Sequence, residues 1–288
     1  MKSLFKTAAA LTLFAAFACS PLPDSGSEGE EPGDGSEQLQ PSVPGPDFRS
    51  AFRKNIALWE FTGAWCANCP EGYTNMNFIL TANPEFTDCV HPMAFHSNAE
   101  SEDDLAIAET PEIMNAMNMI ALGFPSYNVD MTYGGSLVSG VNLKEDLYET
   151  MESNLCCCGV AVSSVLDGAE ASVTVRLHSE INASWRVCVY VVEDKVKYHQ
   201  NSGGRYIESY THRHVVRRIV SESFRGDRIG GRVTPAGTEL TAEYTISVDA
   251  AWNKENTYIY VLAIDSEGHV NNMNLCGIDG GDSGYDRL

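Results

Sequence analysis

Basic residues are scarce in this chain. Lysine and arginine number 19 against 39 aspartates and glutamates, a formal net charge of −20 over 288 residues. A surface that acidic repels polyanions, which argues against nucleic acid and anionic lipid as partners. Part of the charge sits in one low-complexity stretch, so it does not define a binding face. Long apolar runs are missing too. The run that ends at Ala18 is too short to span a bilayer as a permanent helix. No repeat of solenoid period occurs. Asp279, Asp282 and Asp286 lack the spacing and the terminal Glu of a calcium loop, so 279–288 is expected to be a flexible tail. What is present is 43% hydrophobic residues, enough for real cores, and length for about two domains.

The chain opens with Lys2 and Lys6, then an apolar stretch, then Ala16-Phe17-Ala18-Cys19. This resembles a lipoprotein signal, in which the cysteine after a small residue is acylated. Residues 1–18 are therefore expected to be a signal peptide and Cys19 the lipidation site, which anchors the chain to a membrane. An ordinary cleaved signal is the alternative. Residues 19–48, rich in Pro, Gly, Ser and acid, cannot bury enough apolar area to offset ordering and are expected to be a disordered tether. Acids soon after the cysteine resemble surface-export signals of some Gram-negative lipoproteins, and a solvated spacer explains them equally well. The expected place is the cell envelope at the outer membrane, on its periplasmic or surface face.

Helical and strand patterns alternate from about Ala51 to Leu155. Ile56 to Phe61 predicts a buried strand, Gly72 to Thr81 a helix, Val90 to Phe95 a second strand and Asp103 to Met119 a helix broken or begun at Pro111. Ser126 to Asp130 predicts a third strand, Leu137-Val138 a short fourth and Leu143 to Ser153 a closing helix. This order suits a mixed sheet with helices on both sides, an α/β domain over 49–156. From Gly159 the period changes to two, as in Val173, Val175 and Leu177 or Leu240 to Val248. Six or more short strands predict an all-β antiparallel sandwich domain over 157–278.

The stretch Trp65-Cys66-Ala67-Asn68-Cys69-Pro70 carries chemistry. It follows the first strand and opens a helix. Two cysteines three apart on a first helical turn can close a small disulfide ring. A helix N-terminus favours the thiolate of Cys66, which makes Cys66 the exposed nucleophile and Cys69 the resolving thiol. Zinc is disfavoured, because no second Cys-x-x-Cys exists and the run Cys156, Cys157, Cys158 is a poor substitute. No metal and no cofactor is expected.

These residues resemble the active site of the thioredoxin-like superfamily. The resemblance implies that Glu60 is the buried acid that moves the proton of the resolving cysteine. It implies a cis-proline loop at Gly123-Phe124-Pro125-Ser126, with Trp65, Phe124 and Pro125 against the substrate peptide. It also implies partners that carry exported protein thiols or disulfides. Over most of residues 50 to 276 the chain resembles the outer-membrane lipoprotein family named after a twenty-eight-kilodalton outer-membrane protein. The motifs are Met93-Ala94-Phe95-His96, Gly123 to Ser126, Val191-Val192-Glu193-Asp194 and Thr211 to Arg218.

Outside that motif and Cys19, six cysteines remain: Cys89, Cys156, Cys157, Cys158, Cys188 and Cys276. Their pairing is open, and Cys188 with Cys276 is one cross-strand possibility. His212 and His214, two apart, would share a strand face, but without a third ligand they suggest structural histidines. His96 ends a strand close enough to approach the redox motif. Two functions compete. One is a thiol-disulfide oxidoreductase acting through Cys66, Cys69 and Glu60. The other is a non-enzymatic surface interaction module whose Cys66–Cys69 bond is structural.

Overall fold

Strand β1 (Ile56–Thr62) is buried at every position, and its alternation assigns its side chains to two cores. Ala57, Trp59 and Phe61 face one core, and Ile56 and Leu58 face another. The computed structural model describes residues 39–138 and 142–288. The signal peptide, Cys19 and the first part of the expected tether lie outside the described residues.

After β1 the order is α1 (Cys69–Ala82), α2 (Pro84–Thr87), β2 (Val90–His96), α3 (Thr110–Ala116), β3 (Ser126–Val129), β4 (Tyr133–Ser136) and α4 (Leu143–Ser153). Then follow β5 (Cys158–Asp167), β6 (Glu170–Ser179), β7 (Ala183–Glu193), β8 (Val196–Ser202), β9 (Arg205–His212) and β10 (Val215–Ile219). The last are β11 (Asp227–Thr234), β12 (Glu239–Ser247), β13 (Thr257–Ile264), β14 (Val270–Gly277) and β15 (Gly281–Asp282).

The fold is β-rich, with mixed and antiparallel sheets. A nine-stranded sheet runs β14-β13-β7-β10-β2-β1-β3-β4, with β11 also paired to β7. β1 pairs parallel with β2, and β3 and β4 add antiparallel on its other side. A second sheet, β12-β6-β5-β15, is antiparallel, and β8 with β9 forms a separate hairpin. β7 divides its side chains as β1 does. Trp185, Val187, Val189 and Val191 pack toward Val162, Val175 and Leu177 of the second sheet. Cys188, Tyr190 and Val192 pack toward Trp59, Phe61, Met93 and Phe95. Helices α1, α2 and α4 contribute Met76, Phe86 and Leu147 to the core on the far side of β1.

This continuity corrects the expected boundary between 49–156 and 157–278. Leu39–Leu288 is one unit. The edge of β2 is not free, because β10 pairs with it in parallel at Val215↔Ala94, and the Ala94 N–H donates to the His214 carbonyl at 2.7 Å. A strand apolar on both faces, such as β7, needs a core on each side, and the first half of the chain supplies one of them.

Other expectations also shift. The helix expected over Asp103 to Met119 is confined to α3. Pro111 occupies its first turn, the Asp103 side chain binds the Leu105 N–H in a loop, and Asn118 has φ +59. The fourth strand is Tyr133–Ser136 rather than Leu137-Val138, and Leu137 instead donates its N–H to the Pro125 carbonyl. The tail 279–288 is not loose: β15 pairs with β5, Tyr285 Oη donates to Glu239, and the Asp286 carbonyl accepts from Arg53 N–H. The described end of the tether is docked as well, with Ser42 and Asn182 exchanging two hydrogen bonds and Phe48 against the core between the sheets. All six remaining cysteines are free and buried. Cys188 and Cys276 cannot meet, because they lie on opposite faces of the large sheet.

Candidate functional site

The loop between β1 and α1 is a run of turns. Cys66 N–H donates to the Gly63 carbonyl at 3.0 Å and Cys69 N–H to the Cys66 carbonyl at 3.4 Å. Cys66 and Cys69 are joined by a disulfide. Helix α1 begins at Cys69 with Pro70 in its first turn, so Cys66 precedes the helix instead of opening it. Neither cysteine is open to solvent: Cys66 is 5% exposed and Cys69 2%. This corrects the expectation of an exposed Cys66.

Trp65, Phe124 and Pro125 gather beside this loop. The Trp65 indole N–H donates to the Ser97 carbonyl at 2.6 Å, and its ring meets Phe124 edge-on at 5.2 Å. The Phe124–Pro125 peptide is cis. Pro125 lies over Gly72 in α1, where an added Cβ would come within 2.5 Å of the proline ring.

Glu60 sits on β1, on the face that α1 covers. It is 3% exposed and shares a cavity of about 20 Å³ with Cys69, His96, Gln200, Tyr210 and His212. That volume suffices for about one water. Burial pushes the Glu60 carboxyl up to about 8. A carboxyl near that value can hold a proton at neutral pH and exchange it, which is how acid–base groups are poised.

A second acid fixes the loop from behind. Asp103 Oδ2 accepts from the Ala64 N–H at 2.7 Å and faces His96 Nδ1 at 2.7 Å. Burial alone would raise the Asp103 carboxyl, but the hydrogen bonds from His96, Ala64 and Leu105 outweigh it and hold it below its usual range. His96 Nδ1 is therefore the donor to a carboxylate. The His96 ring meets His212 edge-on at 5.0 Å. Burial, aided by His96, pushes His212 down to about 4, and its neutral Nε2–H donates to the His199 carbonyl at 3.2 Å. His214 has φ +53 and lies outside the strands, so the pair does not share a strand face.

Gln200, on β8, was not anticipated. Its side-chain amide donates to the Gly63 carbonyl at 3.2 Å and the Cys66 carbonyl at 2.9 Å. Asn201 N–H donates to the Ala64 carbonyl at 2.7 Å and Gly203 N–H to the Ala67 carbonyl at 2.9 Å. The sequence signal for this hairpin is Ser202-Gly203-Gly204-Arg205, where both glycines take positive φ, +55 and +79.

Among the described residues no group of His, Cys, Asp and Glu has the arrangement of a metal site, and no helix is long and apolar enough to cross a membrane.

No curated protein matches the chain. Among solved structures, HBP35 of Porphyromonas gingivalis is similar with TM-score 0.66 and 18% identity, over 83% of this chain and 80% of that one. That likeness is one of fold. A domain of the outer membrane lipoprotein Omp28 from the same organism aligns at 17% identity over 43% of this chain and 89% of that one, with TM-score 0.29. The family model for Outer membrane protein Omp28 matches residues 113–278, a span that begins after the Cys66–Cys69 loop. That match covers more than half of the chain, which therefore belongs to the Omp28 outer membrane protein family and is placed at the outer membrane of the cell envelope.

Proposed function

We propose that the chain exchanges thiols and disulfides with exported polypeptides, and that its first half is a thioredoxin-like unit built into a larger sheet. The observation that carries this reading is the Cys66–Cys69 disulfide set against the same small cavity as Glu60, a carboxyl pushed up to about 8. A merely structural disulfide has no need of a buried titratable acid behind its inner sulfur. The β1-α1-β2 unit with β3 antiparallel to β1, and Pro125 packed on α1, support the fold half of the reading.

In the oxidised direction a partner thiolate attacks the Cys66 sulfur. The Cys66–Cys69 bond breaks and Cys69 leaves as a thiolate, which takes a proton from Glu60. A second partner thiolate then attacks the partner's own sulfur in the mixed disulfide and expels Cys66 as a thiolate. Two electrons pass from the partner dithiol to the cysteine pair, and the partner leaves as a disulfide. In reverse the reduced pair reduces a partner disulfide, with Cys66 attacking and Cys69 resolving. Trp65, Phe124 and Pro125 border the site where that partner lies.

Cys69→Ser, expressed in its native envelope, is the test. It should accumulate reducible adducts through Cys66, because the resolving thiolate is gone. No adducts, together with no effect of Cys66→Ser, would favour the second reading, a surface interaction module with a structural disulfide. The low exposure of Cys66 is the observation on that side. We further read Cys19 as the lipid anchor, so Cys19→Ser should move the protein from membranes to the soluble fraction.

A further inference from the structure

We propose that the β8–β9 hairpin is a strap held down on the Cys66–Cys69 loop, and that it lifts to admit the partner before exchange. This rests on the exchange reading above and adds how the site is opened.

The hairpin belongs to neither large sheet. Of its residues only Gln200 and His212 are buried, and both point into the redox site. It therefore has almost no apolar core of its own, and its outer residues, such as Lys197, Arg205 and Tyr206, are exposed. Elements with few buried apolar contacts open locally at low cost. A register shift between Tyr198 and Gln200 breaks the β8–β9 ladder at the point where Gln200 turns inward.

Both ends are built as pivots. Lys195 just before β8 has φ +60 and His214 just after β9 has φ +53, and neither is glycine. Arg213 Nη1 donates to Asp194 Oδ2 at 2.8 Å and closes the base of the hairpin between those pivots. The base is pinned, Asp104 N–H donates to Tyr198 Oη at 3.3 Å midway along β8, and the bonds nearest the tip run to the loop carbonyls.

Those carbonyls are what the strap covers. Asn201 and Gly203, two residues apart, donate backbone N–H groups to the Ala64 and Ala67 carbonyls. Gly203 sits in the hairpin turn with φ +55, and its acceptor lies in the turns between β1 and α1, so the contact joins two turns and has no strand ladder behind it. Cys66 is 5% exposed with the strap in place, so a partner thiolate gains access once those bonds open.

The test uses the full chain with Gln200→Ala and, separately, Asn201→Pro, which removes the N–H held by the Ala64 carbonyl from extended backbone, each checked for an unchanged melting profile. The first readout is the rate at which a trialkylphosphine reduces the Cys66–Cys69 disulfide. Both variants should react at least tenfold faster than wild type. The second is the exchange rate with a reduced, unstructured dithiol peptide, which should rise in parallel. In the unmutated protein, the amides of Asn201 and Gly203 should exchange hydrogen at least a hundredfold faster than those of Val189 and Val191 in β7. Phosphine rates within twofold of wild type, or strap amides as protected as β7, would overturn the strap. Faster phosphine reduction without faster peptide exchange would overturn the strap as the barrier to the partner. Phosphine attack needs no partner protein, so the strap can pass while adduct trapping fails, which separates this inference from the exchange reading.

Discussion

Gln200 donates its side-chain amide to the Cys66 carbonyl at 2.9 Å, across 134 residues of sequence. The Cys66–Cys69 loop is thus finished by a part of the chain that lies far beyond the first four strands. The same is true of the sheet, where β10 closes the edge of β2. The second half of the protein is part of the site's construction.

In the reduced protein Cys66 should be alkylated faster than Cys69 near neutral pH. Cys66 precedes the α1 N-terminus, where unpaired N–H groups favour a thiolate, and Cys69 is deeper beside Glu60. Mass spectrometry after short iodoacetamide pulses reads the order. Equal labelling, or Cys69 first, contradicts the assignment of roles.

Glu60→Gln should stabilise the fold increasingly as pH rises from about 4.5 to about 8. Over that window the folded carboxyl keeps a proton that the unfolded one, near 4.5, has released, so wild-type stability falls with pH. The difference should grow by roughly 1.4 kcal/mol per pH unit at most. Chemical denaturation of both proteins across that range measures it. The same variant should slow exchange about tenfold or more, because Cys69 then leaves without a proton donor.

His91 should weaken the protein in acid. Burial pushes it down to about 4, opposed by Asp286, while an unfolded histidine titrates near 6.5. Stability is fully present above 6.5 and is lost as pH falls toward 4, because the unfolded chain binds the proton first. His91 meets Tyr260 edge-on at 6.4 Å, a place that an aromatic ring can keep. His91→Phe should lose up to roughly 2 kcal/mol less stability than wild type between pH 7 and pH 4.5. Parallel denaturation curves at the two pH values decide it, and equal losses would refute it.

Gly72→Ala should destabilise the protein although it sits in a helix. The new Cβ would meet Pro125 Cγ at 2.5 Å and Leu137 Cβ at 3.1 Å. Overpacking of this kind costs about 1–3 kcal/mol, against about 1 kcal/mol gained in helix propensity. The melting temperature should fall and exchange should slow together, since Pro125 must move from the loop. A variant as stable as wild type would mean the proline yields freely.

The local pattern was legible where burial is repetitive. Ile56 to Phe61, Val90 to Phe95 and Leu143 to Ser153 lie within elements that form, because each alternates or repeats against one core. Some near neighbours were legible too: Glu60 lines the same small cavity as Cys69, Phe124 meets the Trp65 ring and Pro125 lies over Gly72. What failed was the long-range part. A change of period at Gly159 marks a change of element type, and it cannot say that β7 and β10 join the earlier strands. Gln200 is one polar residue in a polar hairpin, and only the three-dimensional path shows it turned inward onto the loop. The tail 279–288 reads as solvated by composition, yet its backbone pairs with β5 and with Arg53.

The reduction potential of the Cys66–Cys69 pair, measured by equilibrium with defined thiol buffers, tests the exchange reading most directly. Exchange-competent pairs lie above about −300 mV, and inert structural disulfides lie below it. The account predicts a value above that line, together with full reversibility in the folded protein. A pair that stays oxidised below about −300 mV would contradict it and leave the disulfide as a structural tie.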